Sequence, residues 1–170
     1  MSYSLYDGTI GQAKAAVSSL IHLIELAEQQ PNADALLNAS LHTDMKGLTF
    51  QVFIVLWLTE TMLAKLTGRE AVDVANDLTT YAEIKARLGA LLKQLTEADK
   101  DNVNNHSADV ASVKFGPNDL GEMSAATFAT TLAIPNVYFH VVTAYGILRK
   151  EGVPLGKSDY LAAFRAAPAC

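Results

Sequence analysis

The sequence is short of cysteine, of clustered positive charge and of long apolar runs, and each shortage removes a class of protein. Its one cysteine, Cys170, stands at the last position. No disulfide can form within the chain, and the thiol reads as incidental. Thirteen Lys and Arg against eighteen Asp and Glu leave a formal charge of −5, and the one adjacent basic pair, Arg149-Lys150, runs straight into Glu151. Such scattered cations argue against a nucleic-acid partner, because counterion-release binding needs Lys and Arg in a cluster. Met1 to Gly8 holds no Lys or Arg, so the positive region of a leader peptide is missing. The most apolar run, Phe50 to Leu58, is broken by Gln51 and falls far below the roughly 20 residues of a bilayer span. It reads as a buried helix, with no membrane partner, and the expected compartment is the cytoplasm. The sequons at Asn38 and Asn105 would matter only in a secreted chain. There is no Gly-rich phosphate loop, nucleophile elbow, Cys-x-x-Cys or His-Glu-x-x-His, so common kinase, hydrolase and redox chemistries lack support.

What is present is core material: half the residues are apolar and 18% are charged, enough for one soluble domain over 1–170. Ile10, Ala13, Val17, Leu20, Ile21, Ile24 and Ala27 recur at helical steps from Asp7, and this first helix should end before Pro31. Asn32 to Asp44 reads as a connector with one helical turn at Ala33 to Leu37. A second helix, Thr49 to Lys65, is apolar on nearly all sides and closes at Gly68, a residue suited to a left-handed cap. Thr79 or Thr80 with Glu83 forms a capping box for a third helix, whose buried stripe is Ile84, Leu88, Leu91, Leu92 and Leu95.

From Thr96 to Glu122 the period is lost, and Ala111 to Asn118 suggests a short hairpin. Ser124 opens a fourth helix through Phe128, Leu132, Val137, Val141 and Leu148, which Pro135 should kink. A short helix at Tyr160 to Phe164 should cover one bundle end, and Ala166 to Cys170 reads as a loose tail. The fold class is therefore all-α: a four-helix bundle with a hairpin or irregular loop between helices three and four.

Bundles build their sites from polar groups that point inward on facing helices. Asn136 and His140 stand at i and i+4 on helix four, and Thr143 follows on the same face, while Tyr138 and Tyr145 share another. The spacing matches a His-x-x-x-His metal pair, but Asn is a poor ligand for a transition metal. His140 is either a core histidine bonded to a carbonyl or a proton-transfer group. Gln51 needs a partner inside its apolar helix, and a structural hydrogen bond across helices is the plain expectation. Asp44 is expected to be the N-cap of helix two, or else part of the site. Trp57 is expected in the core, with ligand stacking as the alternative. Glu25 and Glu60 look like solvated faces, His42 and His106 like solvated loop residues, and His22 has a weaker claim on the site.

The string Pro135-Asn136-Val137-Tyr138-Phe139-His140 through Leu148-Arg149, followed by Gly152-Val153-Pro154-Leu155-Gly156-Lys157-Ser158-Asp159-Tyr160-Leu161, resembles an uncharacterised family on the DinB/YfiT-like four-helix fold. Ser4-Leu5-Tyr6-Asp7, Ala35 to Ala39, Asp44-Met45 and Phe50-Gln51-Val52 resemble the same domain-of-unknown-function family, so the likeness covers nearly the whole chain. It implies a DinB-like bundle. The wider superfamily commonly holds a divalent metal with three histidines, one in helix two and a His-x-x-x-His pair ahead of a Leu-Arg-x-x-Gly ending. Setting Leu148-Arg149 and Gly152 on that ending puts Asn136 and His140 at the pair, while the helix-two stretch near Leu58 and Thr59 holds no histidine. The resemblance thus implies a cleft with a degenerate metal site, so neither a metal nor a cofactor is expected. Some members are thiol transferases or isomerases, but nothing in this sequence identifies a thiol site. Dimerisation through long helices, common in that superfamily, implies a homodimer.

The leading expectation is a metal-free pocket for a small-molecule ligand or substrate. His140 would act as general acid or base, with Asn136 and Tyr138 assisting, and Gln51, Asp44, Trp57, Thr143 and Tyr145 would line the pocket. That chemistry would suit an isomerase, cyclase or lyase. The alternatives are a non-catalytic homodimeric binding or stress-response scaffold, and a residual metalloenzyme using His140, Asp44 and His22.

Overall fold

A computed structural model of the chain describes residues 3–116 and 119–166. The chain opens with a single turn, α1 (Leu5–Gly8), and breaks at Thr9 (φ −124°, ψ −73°) before the long α2 (Ile10–Glu28). The expected single first helix is therefore two. Asp7 closes the start of α1, its carboxylate accepting the Ser4 N–H and hydroxyl and the Lys100 ammonium, and at its end the Thr9 hydroxyl donates to the Leu5 carbonyl at 2.6 Å. The hydrogen bonds to Asp7, led by Lys100, hold its carboxyl down at about 2.

After α3 (Ala33–Leu36) comes α4 (Leu48–Leu66). Asp44 does not cap it: Gly47 does, and the leading N–H groups of α4 go to carbonyls rather than to a side chain, Leu48 to Ala39 (2.9 Å) and Thr49 to Leu37 (3.2 Å). A Cβ on Gly47 would press within 3.0 Å of the Asn38 carbonyl, so glycine permits this close approach. At the far end Gly68 takes φ +67°, and a side chain there would also run into the His106 ring.

The capping box of α5 (Tyr81–Glu97) forms as the sequence suggests, with Thr80 Oγ1 accepting the Glu83 N–H and Glu83 accepting the Thr80 N–H. The next segment is not wholly irregular. Asp99 caps a short helix, α6 (Lys100–Asn105), which the loss of apolar period had concealed. Strands β1 (Val110–Gly116) and β2 (Asp119–Ser124) then pair antiparallel, with a bulge between Lys114 and Gly116. The turn expected at Pro117-Asn118 lies outside the described residues.

Ser124 caps the turn α7 (Ala125–Thr127), which widens into a π-helical turn at Phe128–Ala133 and continues as α8 (Ile134–Lys150). The distortion that Pro135 demands is thus met by one wide turn just before it. Thr130 and Thr131 help, donating their hydroxyls to the Ala126 and Thr127 carbonyls. Finally α9 (Lys157–Ala166) lies along α2 rather than across a bundle end, tied there by the Ser19 hydroxyl donating to the Tyr160 carbonyl at 2.9 Å. Cys170 falls outside the described residues.

The four long helices form a closed ring in which α2 packs on α5, α5 on α4, α4 on α8 and α8 on α2. The shared interior is apolar, including Ile24, Leu58, Met62, Leu88, Val137 and Leu148. Two helical stretches, Leu48–Leu66 and Ala125–Lys150, reach the length and hydropathy of a membrane span, but 61% and 44% of them is buried in the bundle. The first is a core helix. The second leaves much of its apolar surface outside.

Candidate functional site

The polar centre of the bundle lies where α4 faces α8. Gln51, near the start of α4, is buried, and its amide orientation is settled locally because Nε2 donates to the Lys46 carbonyl at 2.9 Å. A reversed amide would set oxygen against oxygen. Its Oε1 is therefore turned to α8, where it meets His140 Nδ1 at 2.7 Å. Since a carboxamide oxygen only accepts, Nδ1 carries the proton. Burial pushes the imidazole below its ordinary value of 6.5, so near neutrality it is uncharged. The neutral ring then presents an Nε2 lone pair, an acceptor or base fixed by its partner on the opposite nitrogen.

Aromatic rings frame that imidazole. The Phe139 ring stands edge-on to it with centroids 5.3 Å apart, Phe50 does the same at 6.5 Å, and Phe53 continues the row at 5.8 Å from Phe50. Neither Phe50 nor Phe139 was among the residues expected at the site. The available signal was their place one residue before Gln51 and His140.

Asn136 shares the α8 face of His140 one turn earlier, half-buried, and its side chain makes no hydrogen bond among the described residues. The other candidates lie elsewhere. Tyr138 turns to the opposite flank of α8, donating its hydroxyl to Gln12 Oε1 at 2.6 Å and packing on Phe164. Burial there, with the neighbouring Tyr160 and Tyr3, pushes its phenol up to about 12, which suits a structural hydroxyl rather than a proton donor. The Thr143 hydroxyl is spent on the Phe139 carbonyl at 2.7 Å. Tyr145 is half-buried against the core. Asp44 is exposed and paired with His42 at 2.6 Å. Trp57, expected in the core, is instead exposed on the outer face of α4. His22 reaches Asp159 of α9, and His106, expected in a solvated loop, caps α6 with its ring over Gly68.

Glu60 corrects the sequence reading most sharply. Expected on a solvated face, it is buried at 5% exposure and accepts three hydrogen bonds, two from the Arg69 guanidinium (2.6 and 2.8 Å) and one from the Val72 N–H (2.8 Å). Burial pushes its carboxyl up, but Arg69 and Val72 outweigh burial and hold it below the ordinary value. The pair pins the 69–80 segment, beneath which lies a cavity of about 370 Å³ lined by Leu56, Val74, Arg87 and Leu91. A second cavity, about 470 Å³, is lined by residues of α1, α2 and α9. Neither is lined by His140, which is half-buried between α4 and α8.

A divalent metal does not fit the α4–α8 centre. The α4 residue that meets His140 is Gln51, about two turns from Leu58 and Thr59, and its oxygen is already engaged by Nδ1. One imidazole and two carboxamides make a poor donor set for a transition metal. Among the described residues no group of three His, Cys, Asp or Glu is placed to hold an ion.

The long helices thus form a closed four-helix ring with a polar pair between the second and the fourth. The family profile of a domain of unknown function, DUF1993, matches residues 5–161, and the chain belongs to that family. Its fold is similar to the crystal structure of a DinB family member protein from Shewanella denitrificans, at 34% identity and a TM-score of 0.81, over 92% of this chain and 91% of that one. Comparison with curated proteins gives no match.

Proposed function

We propose that this DinB-like protein binds a small organic molecule at the α4–α8 seam through His140 Nε2, with no metal and no cofactor. The observation that carries it is the Gln51–His140 hydrogen bond, which fixes a neutral imidazole with its basic nitrogen away from Gln51. Phe50 and Phe139 supply apolar contact on either side of the ring, and the Asn136 amide offers both a donor and an acceptor one turn away. A ligand with an acidic O–H, N–H or C–H would meet a base there. An isomerase, cyclase or lyase step that moves one proton is the chemistry such a group serves. The single cysteine accords with work in a reducing cytoplasm.

The test is a ligand-observed NMR screen of an uncharged and anionic fragment library against wild type and His140→Ala, with circular dichroism to check folding. The proposal expects a set of fragments that bind wild type and are lost in the variant. Fragments that bind both proteins equally, or none that binds wild type, would overturn it. A variant that loses only stability would favour the scaffold alternative, in which Gln51 and His140 merely satisfy each other.

A further inference from the structure

Thr67 to Thr80, which joins α4 to α5, is the longest stretch among the described residues with neither helix nor strand. Connections of roughly 12 to 15 residues or more without structure of their own are uncommon in a compact domain, and most serve a function. This one is held at two points. Glu60 of α4 takes Arg69 and the Val72 N–H, and Arg87 of α5 takes the Ala75 carbonyl and Asp77. Beneath the stretch so held lies the cavity of about 370 Å³. At water's share of about 30 Å³ in the liquid, that is room for roughly a dozen waters, within the size range of small-molecule sites.

The walls of this cavity divide by character. Leu56, Leu91, Val74 and Ala90 supply apolar surface, and Val72, also on the wall, is 66% exposed. The polar groups are short of free donors, since Arg69 is engaged by Glu60 and Arg87 by Ala75 and Asp77. Acceptors are in excess. The Asp73 carboxylate makes no hydrogen bond or ion pair among the described residues. Glu60, although buried, keeps one open acceptor position: Oε1 takes both Arg69 Nη1 and the Val72 N–H, whereas Oε2 takes Arg69 Nη2 alone.

We infer that this cavity is a second ligand site, one that takes a small primary ammonium compound with an apolar body. The ammonium meets Asp73 and the open side of Glu60, and the body lies against Leu56, Val74 and Leu91. Charge selects this class. Glu60 cancels Arg69 and Asp77 cancels Arg87, which leaves the single negative charge of Asp73 on the wall of a chain that carries −5 overall. A carboxylate or phosphate ligand would face Asp73 and Glu60 as like charges and would find Arg87 already paired. An ammonium has three donors and no acceptor, which complements such a wall, and its hydrogen bonds to carboxylates are about twice as strong as neutral ones. An apolar body would also cover the Val72 side chain.

This inference does not rest on the reading of His140, which lines no part of the cavity. Its test is a titration of 2-phenylethylamine and of n-hexylamine into ¹⁵N-labelled wild type at about pH 7, followed on backbone amide shifts, with 3-phenylpropanoate and 2-phenylethanol as anionic and neutral counterparts. The amines should give shifts at Val72 to Ala75, Ala90 and Leu91 that saturate in roughly the millimolar range, and the counterparts should bind about tenfold more weakly. Asp73→Asn, at an exposed position, should weaken the amines about threefold. Ala90→Trp, also at an exposed position, should fill the cavity and abolish the shifts while the melting transition stays native. Absence of shifts at these amides with both amines would overturn the inference, as would binding that both substitutions leave unchanged. Shifts confined to Gln51 and His140 would overturn it too. Tighter binding of 3-phenylpropanoate than of the amines would overturn the charge class and give the cavity to an anion at Arg87.

Discussion

Gln51 Oε1 and His140 Nδ1 lie 2.7 Å apart across the α4–α8 seam, and the Lys46 carbonyl, by fixing the Gln51 amide, decides where the imidazole proton sits. One backbone carbonyl thereby sets the polarity of a side chain on another helix. This relay needs Gln at 51, because Glu would bring a second acceptor against the Lys46 oxygen and Leu would bring none.

The Nδ1–H tautomer of His140 is accordingly the dominant neutral form, and the nitrogen shifts of the ring at pH 8 should report a protonated Nδ1. Gln51→Leu removes the acceptor and strands that N–H, so the tautomers should mix and stability should fall by about 1 to 3 kcal/mol. A wild-type ring protonated on Nε2 would contradict this assignment.

Because burial lowers the His140 pKa, the unfolded chain takes up a proton near 6.5 before the folded one does. The neutral folded ring therefore contributes stability fully above 6.5, and that contribution is lost as pH falls from 6.5 to the lower folded pKa. His140→Asn keeps an N–H for Gln51 without a titrating ring. Its melting temperature should lack the loss that wild type shows in this window, and parallel pH profiles would refute the assignment.

The bundle was legible in sequence because apolar residues on α2, α5 and α8 recur at the helical period and Thr80, Glu83 and Ser124 mark helix starts. On α4 that legibility fails, since a helix apolar on every side does not say which side is out. Trp57 and Glu60 are three residues apart, and packing exchanged their expected places: the indole is outside and the carboxylate inside, matched by Arg69 from beyond the helix end. The pairing of His140 with Gln51 was hidden for a similar reason. Spacing within α8 orders Asn136 and His140, but only the packing of α4 on α8 selects a partner 89 positions away. Tyr138 shows the converse: two residues before His140, it is turned by the helix to the α2 flank, where Gln12 takes its hydroxyl.

Thr59 is fully buried, and its hydroxyl has no hydrogen-bond partner among the described residues. A buried unpaired hydroxyl costs about 1 to 3 kcal/mol, and valine has nearly the same shape without it. Thr59→Val should therefore raise stability by about 1 kcal/mol in urea unfolding at unchanged slope. A loss of stability would mean that the hydroxyl has a partner, such as a buried water.

The Glu60–Arg69 pair can be separated into its two halves by substitution. Arg69→Met leaves the buried carboxylate with the Val72 N–H alone, whereas Glu60→Gln keeps one neutral oxygen for Arg69 Nη1 and the Val72 N–H but turns its NH2 group toward Arg69 Nη2. Breaking a fully buried pair costs about 3 to 5 kcal/mol, but the Arg69 side chain is 36% exposed and partly screened. A loss of about 2 kcal/mol is expected for Arg69→Met and a smaller one for Glu60→Gln. Since Glu60 is held below its ordinary 4.5, the wild-type advantage should be complete above that pH and be lost as pH falls through the folded value. The 69–80 segment has no helix or strand and depends on this pair and on Arg87, which donates to the Ala75 carbonyl at 3.1 Å and pairs with Asp77 at 2.7 Å. Limited proteolysis should therefore cut the segment faster in Arg69→Met than in wild type at pH 7, with the bundle helices left intact. Equal cutting rates would show that Arg87 alone suffices to hold it.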